Sequence, residues 1–273
     1  MYEFDELSVY RGSDIPITSK IIVKQPTLDQ IERFGERKYF SSVQTLCSVG
    51  ADLKWQLWEN GIDYTQIEDY DLFIRYICQV VSSRKKVHKE LMDNKEKYSE
   101  QLSKLGQDDL DAMLINPLEL VLNIDLGDFV PYEKVDNNQI VLYDKEHDIT
   151  IDKFVYTRII DIVRQIHGFK RNNEKPANER TKMDLIEDAR DEAMANKNKP
   201  YKSILKPLIS FLSVKTGMCG DERIWNMPIG MLFDSVKRAN KIQEAELLLQ
   251  GAYSGFASLK GVDKSKLDMM GDL

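Results

Sequence analysis

The sequence is poor in the residues that most often carry chemistry or cross-links. Its three cysteines, Cys47, Cys78 and Cys219, are odd in number and widely spaced, with no Cys-x-x-Cys pair. They frame neither a disulfide scaffold nor a zinc site, and they read as buried free thiols. The three histidines, His88, His147 and His167, fall in three different expected elements, and only His147 has a carboxylate at i−3, Asp144. A bridged di-metal centre needs that spacing twice on facing helices, so one copy in an expected turn is no metal site. No apolar run approaches the roughly 20 residues that span a bilayer. The opening Met1-Tyr2-Glu3-Phe4-Asp5-Glu6 is acidic where a secretory leader would be basic and then apolar. A cytoplasmic, membrane-free protein is expected. Positive charge is also in deficit, with 38 Lys and Arg against 45 Asp and Glu for a net charge of −7. Sequence-independent nucleic-acid binding draws its affinity from cations that displace counterions, so that role is not expected.

Gly-rich signatures are missing as well. There is no Gly-x-Ser-x-Gly, no Gly-x-x-x-x-Gly-Lys and no Gly-x-Gly-x-x-Gly, which removes the usual geometry for a hydrolase nucleophile, a phosphate cradle or a dinucleotide. Ser203-Ile204-Leu205-Lys206 and Lys215-Thr216-Gly217 match two motifs of penicillin-recognising hydrolases. Both fall within one expected helical hairpin, with no Ser-Asp-Asn between them, so the match reads as chance. The acidic clusters at residues 68–71 and 108–111 lack the alternating acids and central Gly of a calcium loop and suit helix starts instead. Arg84-Lys85-Lys86 and Lys170-Arg171 read as surface charge near helix ends. No catalytic residue, metal or cofactor is expected.

What the chain has is enough apolar residue for a real core. With 273 residues and 42% hydrophobic composition, a fold of this size buries about three quarters of its unfolded surface. The patterning predicts a mainly α-helical protein, with multi-helix N-terminal and C-terminal parts and a small β-hairpin or meander between them. Residues 1–105 read as an N-terminal arm and helical domain. Within it, residues 7–10 and 21–24 are β-prone stretches joined by a turn at residues 11–14. Thr27 with Gln30 forms a capping box ahead of Leu28, Ile31 and Phe34, and Gly35 interrupts the helix before Tyr39, Val43 and Leu46. Gly61 closes a helix carrying Leu53, Leu57 and Trp58. Thr65 with Glu68 is a second capping-box candidate before Leu72, Phe73, Tyr76, Ile77, Val80 and Val81, the expected central core helix. Its charged continuation over residues 84–105 reads either as a projecting arm or as a solvated helix.

Residues 106–169 read as a small β meander beginning near Phe129, followed by a helix capped by Asp152 and ended by Gly168. Residues 170–199 read as a charged linker and a mobile helix. Residues 200–273 read as a helical hairpin, with Ile204, Leu205, Leu208, Ile209 and Leu212 on one helix and Ile229, Leu232, Phe233, Val236 and Ala239 on the next, then a third short apolar stretch over residues 242–253 and a frayed tail. Aromatic and Met clusters suit either a core or an interface: Trp55 and Trp58 with Tyr39 and Phe40 nearby, and Trp225, Met227, Met231 and Phe233.

These segments carry a resemblance. Gln25-Pro26-Thr27-Leu28, Phe34-Gly35-Glu36, Tyr39-Phe40, Gln56-Leu57-Trp58, Gly61-Ile62-Asp63-Tyr64 and Asp69-Tyr70-Asp71-Leu72-Phe73 resemble the opening of proteins from the tail-gene region of phages and prophages of Gram-positive bacteria. Ile224-Trp225-Asn226-Met227-Pro228, Phe233, Lys237-Arg238 and Gly251-Ala252-Tyr253-Ser254-Gly255 resemble the closing helices of the same group. The resemblance implies a non-enzymatic tail assembly chaperone. Such a protein binds the tape-measure protein during tail morphogenesis and shields its apolar helices in the host cytoplasm. It leaves open a homo-oligomer, and a structural tail or baseplate component retained in the virion. Tyr39, Phe40, Trp55, Trp58, Trp225, Met227, Met231 and Phe233 are the partner contacts this reading nominates.

Overall fold

The computed structural model describes residues 6–94, 116–134, 139–256 and 258–271. The fold is mainly helical with two small antiparallel sheets. Its centre is α6 (Lys153–His167), opened by the Asp152 side chain accepting from the Val155 amide and closed at Gly168. Tyr156, Ile159, Ile160, Ile162, Val163 and Ile166 are all buried on this one helix. At roughly 1.5–3 kcal/mol for each large apolar side chain taken from water, no other element among the described residues buries as many large apolar side chains.

Around α6 pack α3 (Glu36–Cys47), α5 (Asp69–Asp93), β2 (Ile22–Val23), β5 (Ile149–Ile151) and α9 (Ile229–Tyr253). The expected central helix, α5, therefore flanks the centre. It buries Tyr70, Leu72, Phe73 and Ile77, and no later residue with a described side chain is fully buried. Its charged half is described as helix up to Asp93 and is tied back by Arg84 to Asp125 at 2.6 Å; the rest of the expected arm lies outside the described residues. One hydrophobic cluster runs from Val9 through Leu142 and α6 to Val236, drawing on both ends of the chain.

Local chemistry sets several boundaries. Before α2 (Leu28–Phe34), Thr27 and Gln30 cap each other's backbone reciprocally, and Gly35, at φ 98, lets the chain turn into α3 where a side chain would be strained. In the meander, β3 (Val130–Glu133), β4 (Ile140–Asp144) and β5 pair in order, with Leu142 opposite Ile151 on the buried face. The Asn137-Asn138 turn lies outside the described residues.

Other expectations change. Residues 7–10 form part of α1 (Glu6–Arg11), not a strand, because Val9 packs inward where α1 meets α9. The strands of that region are β1 (Ile15–Pro16) and β2, the latter stitched on its far side to residues 121–123. Thr65 is not a cap: its amide and hydroxyl both bond Asp63 Oδ1, and α5 starts after Glu68, whose side chain makes no cap bond. The expected linker is extended but pinned. Arg171 bonds both carboxylate oxygens of Asp69 at 3.0 and 3.2 Å, Asn172 bonds Asp52, and Lys54 pairs with Glu174. The helix after it, α7 (Glu179–Asn196), packs on α4 (Lys54–Glu59) around Leu57, Tyr64, Leu72 and Ile186, so it is docked. Past Asn240, α9 continues without a break, and the tail returns along it, with Arg238 donating to the Met269 and Gly271 carbonyls at 2.8 Å. Cys47 is buried, Cys78 half-buried and Cys219 exposed, so only one of the three thiols is fully buried as expected.

Candidate partner-binding surface

The two strings that carry the resemblance meet in space. The amides of Leu28 and Asp29, orphan donors in the first turn of α2, donate to the carbonyls of Met227 and Trp225 at 3.1 and 2.9 Å. The Ile229 amide, at the start of α9, donates to Pro26 at 3.0 Å. Each helix start thus satisfies the other. Gln25 reinforces the joint by donating from Nε2 to the carbonyls of Val9 and Ser13, and Gly12 passes so close to Pro228 that a Cβ would sit 2.2 Å from its ring.

Next to this joint lies the hairpin of α8 (Leu205–Thr216) and α9. Glu36, at the start of α3, fixes the near end of α8: its Oε1 accepts from the Ile204 and Leu205 amides at 2.6 and 2.8 Å. A carboxylate suits that place, where unpaired amides and the helix dipole are positive. Apolar residues cover more than half of the circumference of α8, with Lys206, Ser210 and Ser213 in the remaining sector, yet only Leu205, Leu212 and Ser213 are buried. Leu208, Ile209 and Phe211 are half-buried against the core, while Ile204 is 37% and Val214 72% exposed. So wide an apolar face is normally covered; here part of it is open. Farther along α9, Leu247 and Tyr253 are exposed too.

The nominated contacts divide. Tyr39 and Phe40 are 1% and 2% exposed in the core, edge to face with each other, and have no surface to offer a partner; that part of the nomination is corrected. The 3.6-residue repeat of α3 turns both toward α6. Trp55 is half-buried in the small cluster under α7, whereas Trp58 is 44% exposed. Trp225 is 42% exposed beside the joint. Met227 and Phe233 are half-buried against the core, and Met231 is half-buried on α9. The structure therefore does not join the two tryptophan groups into one face: Trp58 sits on the α4 and α7 side, Trp225 at the α2 and α9 joint. The outer side of α8 went unnoticed because Ile204 reads in sequence as part of the buried stripe. The signal that could have found it is a second stripe, Ile204, Pro207, Phe211 and Val214, at spacings of three, four and three.

Burial and local contacts account for the marked pKa shifts. His167 is fully buried, with Nδ1 2.7 Å from the Val163 carbonyl and Nε2 2.7 Å from the Tyr39 hydroxyl, and desolvation lowers its pKa to about 4. Burial pushes the Cys47 thiol up to about 12, which makes it a poor nucleophile. Asp144 and His147 bond each other in a turn at 2.7 Å; the contact raises the His147 pKa, and the Asp144 pKa is lowered because bonds from His147 and nearby amides outweigh burial. A hollow of about 360 Å³ lies beside α6; four of its six charged lining groups pair within its own wall, Arg171 with Asp69 and Lys153 with Glu68, and Arg164 donates to the Cys47 carbonyl. Ser203 and Lys215 stand near opposite ends of α8, about 18 Å apart along its axis, so the two hydrolase-like motifs do not form one site. No group of three or more potential metal ligands occurs among the described residues. No helix among them is long and apolar enough to cross a membrane. Compared with known protein families, curated proteins and solved structures, the chain gives no match.

Proposed function

We propose that this protein acts by binding and not by catalysis, as a phage tail assembly chaperone that holds apolar helices of the tape-measure protein in the host cytoplasm until the tail tube assembles. The observation that carries this reading is the open apolar side of α8, on a helix anchored at one end by Glu36 and backed by the core. Trp225, Leu247 and Tyr253 are further exposed apolar side chains of the segment from the α8–α9 turn to the end of α9. A client helix laid on it would bury what neither chain covers alone. The net charge of −7 keeps such a complex soluble.

The test is co-expression with the tape-measure protein encoded in the same tail-gene region, followed by size exclusion. The expected result is a soluble complex that forms with the wild type and is lost or weakened in Val214→Asp and Trp225→Ala. A tape-measure protein equally insoluble with and without this chain would overturn the reading. Recovery of the chain in purified particles would instead favour a structural tail component.

A further inference from the structure

The open side of α8 belongs to a stretch of chain that carries lysines and no acid. Residues 193–220 hold five lysines, Lys197, Lys199, Lys202, Lys206 and Lys215, and no Asp or Glu, within a protein of net charge −7. Among the described residues none of the five is in an ion pair. The carboxylate that reaches this helix, Glu36, is already occupied by two backbone amides. At 3.6 residues per turn, Ile204, Pro207, Phe211 and Val214 fall in a strip about 80° wide, with Lys206 and Lys215 on opposite sides of it. Ile204 shares the helical backbone, at φ −79 and ψ −41, so the strip is continuous.

A narrow apolar strip at three-four-three spacing is the seam that one partner helix fills, and the charges beside such a seam select the partner. We propose that the outer side of α8 docks an amphipathic helix whose apolar seam is flanked by Asp or Glu. This assignment rests on the client-binding reading above and specifies the client's chemistry. A second copy of α8 in the same place would set lysine against lysine, which disfavours self-pairing. A membrane surface would call for a broader apolar face than this strip.

The probes are two synthetic three-heptad helices with identical Leu seams, one flanked by Glu and the other by Lys, titrated into the full-length chain and followed by fluorescence anisotropy. The Glu peptide should bind about tenfold or more tightly than the Lys peptide, and its advantage should shrink with added salt. Val214→Asp, at an exposed position that leaves the core intact, should abolish binding of both. Lys206→Glu with Lys215→Glu should reverse the preference. Equal affinity for the two peptides, a preference untouched by the charge reversal, or binding to phosphatidylserine vesicles with no binding of either peptide would overturn the assignment. The tape-measure co-expression separates the two levels. A client held equally by wild type and by the charge-reversed variant sinks the acidic helix and leaves the chaperone reading standing. Glu-peptide binding without client binding does the opposite.

Discussion

His167 makes an acid-sensitivity prediction whose size follows from its surroundings. A carbonyl only accepts, so the 2.7 Å contact with Val163 places the ring proton on Nδ1 and leaves Nε2 to accept from the Tyr39 hydroxyl. The imidazole is therefore neutral in the fold. Desolvation holds its pKa near 4, while the unfolded chain protonates near the ordinary 6.5. Between those values the unfolded state binds more protons, so stability rises with pH across the window: it is fully present above about 6.5 and lost as the pH falls toward about 4. A gap of about two and a half pH units, at about 1.4 kcal/mol each, amounts to about 3 kcal/mol. The depressed carboxyls of Asp63 and Asp144 contribute only at lower pH, below their ordinary 3.8, and the raised His147 contributes with opposite sign above 6.5; Asp128, raised by burial and by Asp125, acts with opposite sign just above 3.8, so the His167 effect is read as the difference between wild type and a His167 variant that keeps Asp128. Urea titrations followed by tryptophan fluorescence should show His167→Gln without this loss, the difference between the two profiles growing as the pH falls from about 6.5 toward about 4. An unchanged slope in that variant, or nitrogen chemical shifts showing an imidazolium at neutral pH, would refute the reasoning.

Other perturbations test the remaining contacts. Tyr39→Phe leaves Nε2 of His167 buried without a donor and should cost about 1–3 kcal/mol at neutral pH, read from the urea midpoint. Glu36→Ala strips two amides of their acceptor at the start of α8 and should cost about 1–2 kcal/mol, with Glu36→Gln recovering part of it; equal stability of all three proteins would remove Glu36 as the anchor. Gly12→Ala combines a φ of 76 with a clash against Pro228 and should cost about 2–4 kcal/mol. Arg171→Ala releases the strap from Asp69, so hydrogen exchange at residues 171–178 should accelerate while the amides of α6 stay protected.

Features decided by neighbours in sequence were legible before any coordinates. The Thr27 and Gln30 box, the Asp152 cap and the closing Gly168 each need only a few residues to form, so pattern alone locates them. The three-strand meander follows from alternation between polar turns. Features decided across the fold were not. Residues 7–10 are β-prone, yet packing against α9 makes them helical; Thr65 has the right neighbour at Glu68, yet Asp63 captures it first. Tyr39 and Phe40 read as interface residues because an aromatic pair looks the same in sequence whether a partner or α6 covers it. On α8, both stripes are apolar, and only the packing shows which one faces the core.

The joint between residues 26–29 and 225–229 bears on what the resemblance can say about function. Each string supplies acceptors for amides that the other leaves unpaired, and Gly12 and Pro228 admit almost no extra volume between them. Changing Thr27, Pro228 or their neighbours would misalign two helix starts at once, so these strings are held by folding whatever the protein binds. The outer strip of α8 is under no such constraint, because its exposed side chains carry little of the core. Under the proposed client-binding role, residues that tune the fit to a particular client belong on that strip, and exchanging Ile204, Pro207 and Val214 should alter which helix is held while leaving the fold in place.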